Sequence, residues 1–581
     1  MAKIRRAVNG GAAWWPPLLL LLLSLAWPGR AAPGGEAPDD DSEDVPPIAA
    51  AGAGAGEGGT GFVVRPWLRF PARTSMTISW ISGSSQECVL RLNSAGGAER
   101  EARVGSPLAI EFAPNPPAAT PGPPPAKAPE PAPPPAAAAP DPPLEKHYLF
   151  TARLDGLEPG TEYRYSVDCG GAGAAGSFRT VPEKAEPFTF LAFSDVHCRD
   201  GISGGFAAQK PAFLVNCGDL VARERYPEYL RFFSEGMNAA AGRWPMFVAR
   251  GNHDESAKWL ARFFSEPEGR HYYSFDYGDA HFVCLDSLLG RGDKSGRHRA
   301  MLEWCDADLA ASRARWKVVF HHFPSYDVGK HLSAWGRKDL LPILRKHGVD
   351  LTISGHDHSY QRFKPMFTKG ENDGRPITHV VAAAGSPGLY RLEREPFLAA
   401  SDASEPSFLA VTVSRDRLSG RCIGADGREL DAFSIDKRAD GSLDPAWLAG
   451  AVPEERYGDL REAVRPSLKG LGLPEDPRGG QAMTFKLGIG APDRPVRFEV
   501  RAEKRSQADY EVTPVSGEAP AGGIADVELR VRLLKPELYR NRELKDVPWL
   551  RLEVLLESGG QKASIIRYLV HRPPAPQGSG K

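Results

Sequence analysis

Five apolar runs in the middle of this chain end in the same kinds of side chain. "FTFLAFSDVH" ends in Asp195 and His197, and "AFLVNCGD" ends in Asp219. "PMFVARGNHD" ends in Asn252, His253 and Asp254, "WKVVFHHFP" carries His321 and His322, and "VDLTISGHDH" closes on His356 and His358. Neutral imidazoles with carboxylates suit zinc, iron or manganese, whereas an all-oxygen set would suit calcium or magnesium. Asp195, His197, Asp219, Asn252, His321, His356 and His358 are together more ligands than one ion takes from protein alone, so two transition-metal ions are the economical reading. Two ions about 3.5–4 Å apart can share a carboxylate, hold a hydroxide between them and neutralise a phosphoryl group under attack.

Such side chains work together only if their strands are neighbours. In open α/β sheets, ligands bind outside the carboxyl ends of the strands. Residues 187–435 have that rhythm: strand-like runs alternate with helical segments such as "YPEYLRFFSEGMNAA" and "MLEWCDADLAAS". The later stretch "FLAVTVSRDRLSGRCIGADGRELDAFSID" is antiparallel in style. The expectation is a central α/β domain with two mixed sheets flanked by helices.

The chain has 581 residues, too many for one core. Residues 61–182 alternate apolar and polar positions, as in "MTISWIS", and predict a β-sandwich interrupted by a Pro/Ala-rich insertion at 114–143. "LDGLEPGTEYRYSV" resembles the fibronectin type III signature, which implies a fold and little else. Cys88 and Cys169 both fall here and could bridge. Cys198 and Cys217, beside the candidate ligands, read as packing residues. Residues 436–480 read as a linker with helical patches, 481–572 as a second β-sandwich, and 573–581 as a disordered tail.

The N-terminus has the layout of a secretory signal over 1–31: Lys3, Arg5 and Arg6, then Leu18 to Leu23, then Gly29-Arg30-Ala31. A flexible linker over 32–60 follows. The expectation is export, to periplasm or medium in a bacterial source, with no stable membrane span after cleavage. A formal net charge of −1 indicates no nucleic-acid surface. Oligomeric state is not written in the sequence.

The blocks DxH, GD, GNHD, a strand-ending His and GHxH, in that order, resemble the calcineurin-like metallophosphoesterases. With "GHDHSYQR" and the preceding sandwich, the resemblance is to the purple acid phosphatase branch. It implies that Asp195, His197, Asp219 and His358 hold one ion. Asp219 would bridge to a second, completed by Asn252, His321 and His356. His253 would face substrate and protonate the leaving oxygen, with Asp254 orienting its ring. His331 lies where relatives place a phosphate-contacting histidine, and Asn252 and His322 join the substrate side. Two positions depart from the purple enzymes. His197 stands where they have Gly, and Ala222 stands where they have a metal-binding tyrosine; Tyr226, further on, does not replace it.

These residues predict an exported binuclear-metal phosphoesterase hydrolysing phosphate monoesters. One alternative is a phosphodiesterase acting on nucleotides or glycerophosphodiesters. Another, of a different class, is a non-catalytic cell-surface binding protein.

Overall fold

The five runs form strands: β1 Phe188–Phe193, β2 Phe213–Asn216, β3 Met246–Val248, β4 Trp316–Phe320 and β5 Leu351–Ser354. The structure, a computed structural model, describes residues 61–571 except 95–96, 113–143, 255, 265–269, 291–292, 371–374, 469–471, 474–475, 492, 505 and 541–546. The expected signal, first linker, Pro/Ala insertion and tail lie outside the described residues.

Two mixed sheets face each other. One runs β3-β2-β1 in parallel and continues antiparallel through Ser407–Val413, Arg417–Gly424 and Glu429–Asp436. The other holds β4 and β5 in parallel, between Ala280–Cys284 on one side and Thr378–Ala382 on the other. Phe190, Phe213 and Val215 of the first sheet meet Phe282, Val318 and Ile353 of the second in one core. Helices cover both outer faces. Tyr226–Phe232 and Lys258–Phe263 lie behind the first sheet, and Arg297–Ala311 and Leu340–Lys346 behind the second. Strands covered on both faces must be apolar throughout, hence the unbroken runs in the sequence.

The flanking regions are β-sandwiches. The N-terminal one has two four-stranded sheets, and Cys88 is disulfide-bonded to Cys169. These cysteines sit on paired neighbouring strands, where Val89 faces Asp168. The C-terminal sandwich has sheets of five and three strands around Val500, Leu529, Val554 and Ile565. The stretch expected as a linker is packed: Leu460, Val464 and Leu468 enter the C-terminal core, and Tyr457 and Arg461 are buried. No helix among the described residues is long and apolar enough to cross a membrane.

Candidate metal centre

The loops leaving the five strands meet at the carboxyl edge of the two sheets. The turns are tight. Gly218, before Asp219, has φ +104°, and a Cβ there would lie 2.6 Å from His322 Nδ1. At Gly251, before Asn252, a Cβ would meet Asp219 Oδ1 at 2.0 Å. Asp195, His197, Asp219 and His356 all hold φ between 47° and 74°, a left-handed backbone that non-glycine residues adopt at a cost of order 1–3 kcal/mol each. Such strain, concentrated on residues of these chemical types, marks a functional site.

Three overlapping groups could each hold an ion: Asp195, His197 and His358; His197, Asp219 and His253; and Asp195, Asp219 and His322. Within each group the candidate ligand atoms lie within 4.8 Å of one another. Nε2 of His197 lies 3.1 Å from Nε2 of His358, and the two are 3.8 and 3.4 Å from Asp195 Oδ1. His322 Nε2 is 2.8 Å from Asn252 Oδ1 and 3.3 Å from Asp219 Oδ2. The His356 amide donates to Asp195 Oδ2 at 2.9 Å, and its ring lies 4.1 Å, centroid to centroid, from that of His331.

Backbone carbonyls set the tautomers. His253, His322 and His358 donate from Nδ1 to the carbonyls of Ala222 (2.7 Å), Cys217 (2.9 Å) and Gly388 (2.7 Å). In neutral His322 and His358 this leaves the Nε2 lone pair for an electrophile, the usual support of a metal-binding imidazole, while in His253 it turns Nε2 toward the cluster. Asp195 Oδ1 is buried with no hydrogen-bond partner among the described residues. Burial would neutralise His322, but the Asp219 charge and hydrogen bond win and lift its pKa to about 9. Burial and the neighbouring His358 push His197 down to about 3. An orphan carboxylate oxygen, two imidazole nitrogens in close approach and a ring held against acidic oxygens are satisfied together by cations. The residues present fit a pair of transition-metal ions.

The structure places two histidines differently from the expectation. His322, not His321, lies against Asp219 and Asn252; the His321 ring is buried against Trp335, at 4.8 Å between centroids. Strand alternation explains it. Trp316, Val318 and Phe320 point between the sheets while Val319 points to the helices, so an even-numbered His322 continues toward the edge between the sheets. Asp254 is also corrected. Its carboxylate accepts from the amides of Asp219 (2.9 Å) and Gly251 (3.2 Å) and from the Tyr229 hydroxyl (3.1 Å), so it braces the loop, while the Ala222 carbonyl holds the His253 ring. Tyr226 turns away and bonds His147 at 2.8 Å.

Sequence reasoning missed Tyr390. Its ring stacks on His358 at 4.2 Å and 5°, lies 5.4 Å from that of His331, and carries Lys330 Nζ at 4.7 Å. No motif flags it; only the fold brings it there.

Residues 188–360 match the calcineurin-like phosphoesterase family, and residues 64–180 the N-terminal domain of purple acid phosphatases. Purple acid phosphatase 21 of Arabidopsis thaliana is 28% identical over 282 residues, covering 44% of this chain and 63% of that protein. Acid phosphatase type 7 of Homo sapiens is 29% identical over 163 residues, covering 23% of this chain and 36% of that protein. The chain thus spans less than two thirds of the length of these relatives. In fold it is similar to purple acid phosphatase PPD1 from yellow lupin seeds, with TM-score 0.51 at 18% identity, over 65% of this chain and 74% of that one. Residues 188–360 thus carry a calcineurin-like phosphoesterase domain and residues 64–180 the N-terminal domain of purple acid phosphatases, and the chain is similar to that branch.

Proposed function

We propose that this chain is an exported phosphoesterase that hydrolyses phosphate monoesters at a binuclear centre. The observation that carries the reading is the convergence of Asp195, His197, Asp219, Asn252, His322, His356 and His358 on one edge. The basic, then leucine-rich N-terminus supports export. Asp219 Oδ2 lies 3.3 Å from His322 Nε2 and 3.9 Å from His197 Nε2, between the two sides of the cluster, and is the natural bridge.

Bound divalent ions supply Lewis acidity toward a phosphoryl oxygen and acidify water. The chain's own residues do the rest. His253, anchored through Nδ1, presents Nε2 to the cluster, 4.0 Å from Asp219 Oδ2, with its side chain 17% exposed. As imidazolium it delivers the Nε2 proton to the leaving oxygen. Asn252, His331 and Lys330 line the substrate side; Lys330 adds a positive charge beside the phosphate. A cleft of about 370 Å³ opens at Asn252 between Arg250, Arg297, Leu288, Leu289 and Phe323 and would take the alcohol portion of the ester.

Ala222 at the position of the purple enzymes' tyrosine, with Tyr226 bonded to His147, supports a centre without a tyrosinate-to-iron absorption band. The test is His253→Ala in manganese-loaded protein. Turnover of nitrophenyl phosphate should fall by about 10²–10⁴-fold with metal content unchanged. Wild type that takes up manganese but cleaves neither nitrophenyl phosphate nor bis-nitrophenyl phosphate would instead support the non-catalytic binding role. A faster rate on the diester would move the assignment to a phosphodiesterase.

A further inference from the structure

We infer that the C-terminal β-sandwich is a positioning element of the centre, acting through the loop 385–397 on His358 and His331. This rests on the phosphoesterase reading. The loop touches the centre directly. The Gly388 carbonyl fixes His358 Nδ1 at 2.7 Å, the Tyr390 amide donates to the His358 carbonyl at 2.8 Å, and the Tyr390 ring covers the imidazole. The Glu393 amide donates to the Val328 carbonyl at 2.7 Å, tying the loop to the segment that carries Lys330 and His331.

The far side of the same loop is gripped by the C-terminal region. The Arg394 amide donates to Ser564 Oγ at 2.9 Å, and the Ser564 amide returns a bond to the Arg394 carbonyl at 3.1 Å. Ser564 lies inside the strand Gln561–His571 of the sandwich. Arg391 is paired with Glu503 at the end of another strand. Arg461 spans Glu393 at 2.9 Å and Glu395 at 2.7 Å, Arg465 adds a contact to Glu393, and the Ile566 amide donates to Glu393 Oε1 at 3.0 Å. Tyr457, next to this clasp, donates its hydroxyl to the Asp327 carbonyl at 2.6 Å, below the His331 turn.

The Arg461, Glu393 and Glu395 side chains are 3–4% exposed. Charges removed from water that completely tolerate little displacement, because each partner left alone would be an uncompensated buried ion. A passenger domain on a tether needs no such network. Here a loop with no regular hydrogen-bonded ladder of its own takes its shape from the sandwich on one face and passes it to His358 on the other.

The test uses the full chain with manganese(II). Arg391→Ala and Ser564→Ala loosen the grip without touching the centre. Arg391→Lys keeps the charge pair. Arg501→Ala breaks an Arg501–Glu553 pair within the sandwich that includes no residue of the loop. Amide exchange over 388–395 should quicken about tenfold or more in the two alanine variants. The kcat for nitrophenyl phosphate should fall about tenfold, with KM changed less than about threefold. Manganese affinity should weaken in parallel. Arg391→Lys should recover most of each loss, and Arg501→Ala should match wild type.

Unchanged exchange in both alanine variants, or the same quickening in Arg501→Ala, overturns the inference. Quickened exchange with kcat and manganese affinity at wild-type levels also overturns it, since the loop would then move without consequence for the centre. Wild type that binds no manganese and turns over no ester would be a failure of the phosphoesterase reading, and exchange over 388–395 would still decide whether the sandwich holds the loop.

Discussion

The two sandwiches attach to the central domain by different chemistry. The N-terminal one rests on the helices behind the first sheet. Trp67 packs between Phe233 and Phe263, at 4.9 and 5.9 Å, and its indole donates to the Phe263 carbonyl at 3.1 Å. Arg69 caps the same helix end, and the Tyr165 hydroxyl donates to the Gly242 carbonyl at 2.9 Å. The C-terminal one, with the segment leading into it, holds the loop 385–397 through buried ion pairs and a reciprocal Arg394–Ser564 contact, and also bonds Asp327 through Tyr457. The aromatic burial at the first attachment is non-directional and rewards area, and its hydrogen bonds end on the carbonyls of Arg262, Phe263 and Gly242, none of them among the candidate ligands. Buried charge pairs and backbone hydrogen bonds demand geometry. The first attachment therefore holds the molecule together, and the second shapes the centre.

The sharpest way to break that contrast is Arg461→Met. It leaves Glu393 and Glu395 buried without their main partner, and stability should fall by about 3–5 kcal/mol in denaturant titrations. The kcat of the remaining folded protein should fall more than about tenfold. Trp67→Ala on the opposite side should lower stability by a similar 3–5 kcal/mol through lost burial and a cavity. Assayed where it is folded, however, it should keep kcat within about twofold of wild type. Equal losses of kcat in the two variants would erase the distinction. Tyr165→Phe is a finer probe: one interdomain hydrogen bond removed, about 1 kcal/mol, with no change in turnover.

The same contrast explains what could be read from the sequence. The five ligand-bearing strands were legible because parallel strands covered on both faces are written as unbroken apolar runs. The sandwich strands were legible from their alternation, and the position of Cys88 and Cys169 in one β region anticipated their bond. The His321–His322 doublet was not resolvable by motif, which names only one histidine, while the choice between neighbours depends on which face the strand presents; Trp316, Val318 and Phe320 share the core between the sheets and favour His322. Asp254 was misread because residues adjacent in a tight turn point in different directions. The grip on loop 385–397 left no local trace at all. Its partners, Glu393 and Arg461, are 68 positions apart and resemble ordinary surface charges until the fold buries them.

His281, on the strand Ala280–Cys284 of the second sheet, lies between Asp276 Oδ1 at 2.7 Å and Asp308 Oδ2 at 2.9 Å. Burial disfavours its charge, but the two carboxylates prevail and raise its pKa to about 9. A raised folded-state pKa means stabilisation that is complete below the unfolded value near 6.5 and is lost as pH rises through about 9. Asp276 is 72% exposed, so solvent screens part of the interaction and about 1–2 kcal/mol is the expected size. Denaturant titrations of wild type and His281→Asn should therefore differ by that amount at pH 6 and converge by about pH 10. A constant difference across that range would show that His281 acts by packing rather than charge. The loss in Trp67→Ala is apolar and should not follow this curve, so a pH series on both variants separates the charged contribution of the central domain from the apolar hold of the N-terminal sandwich.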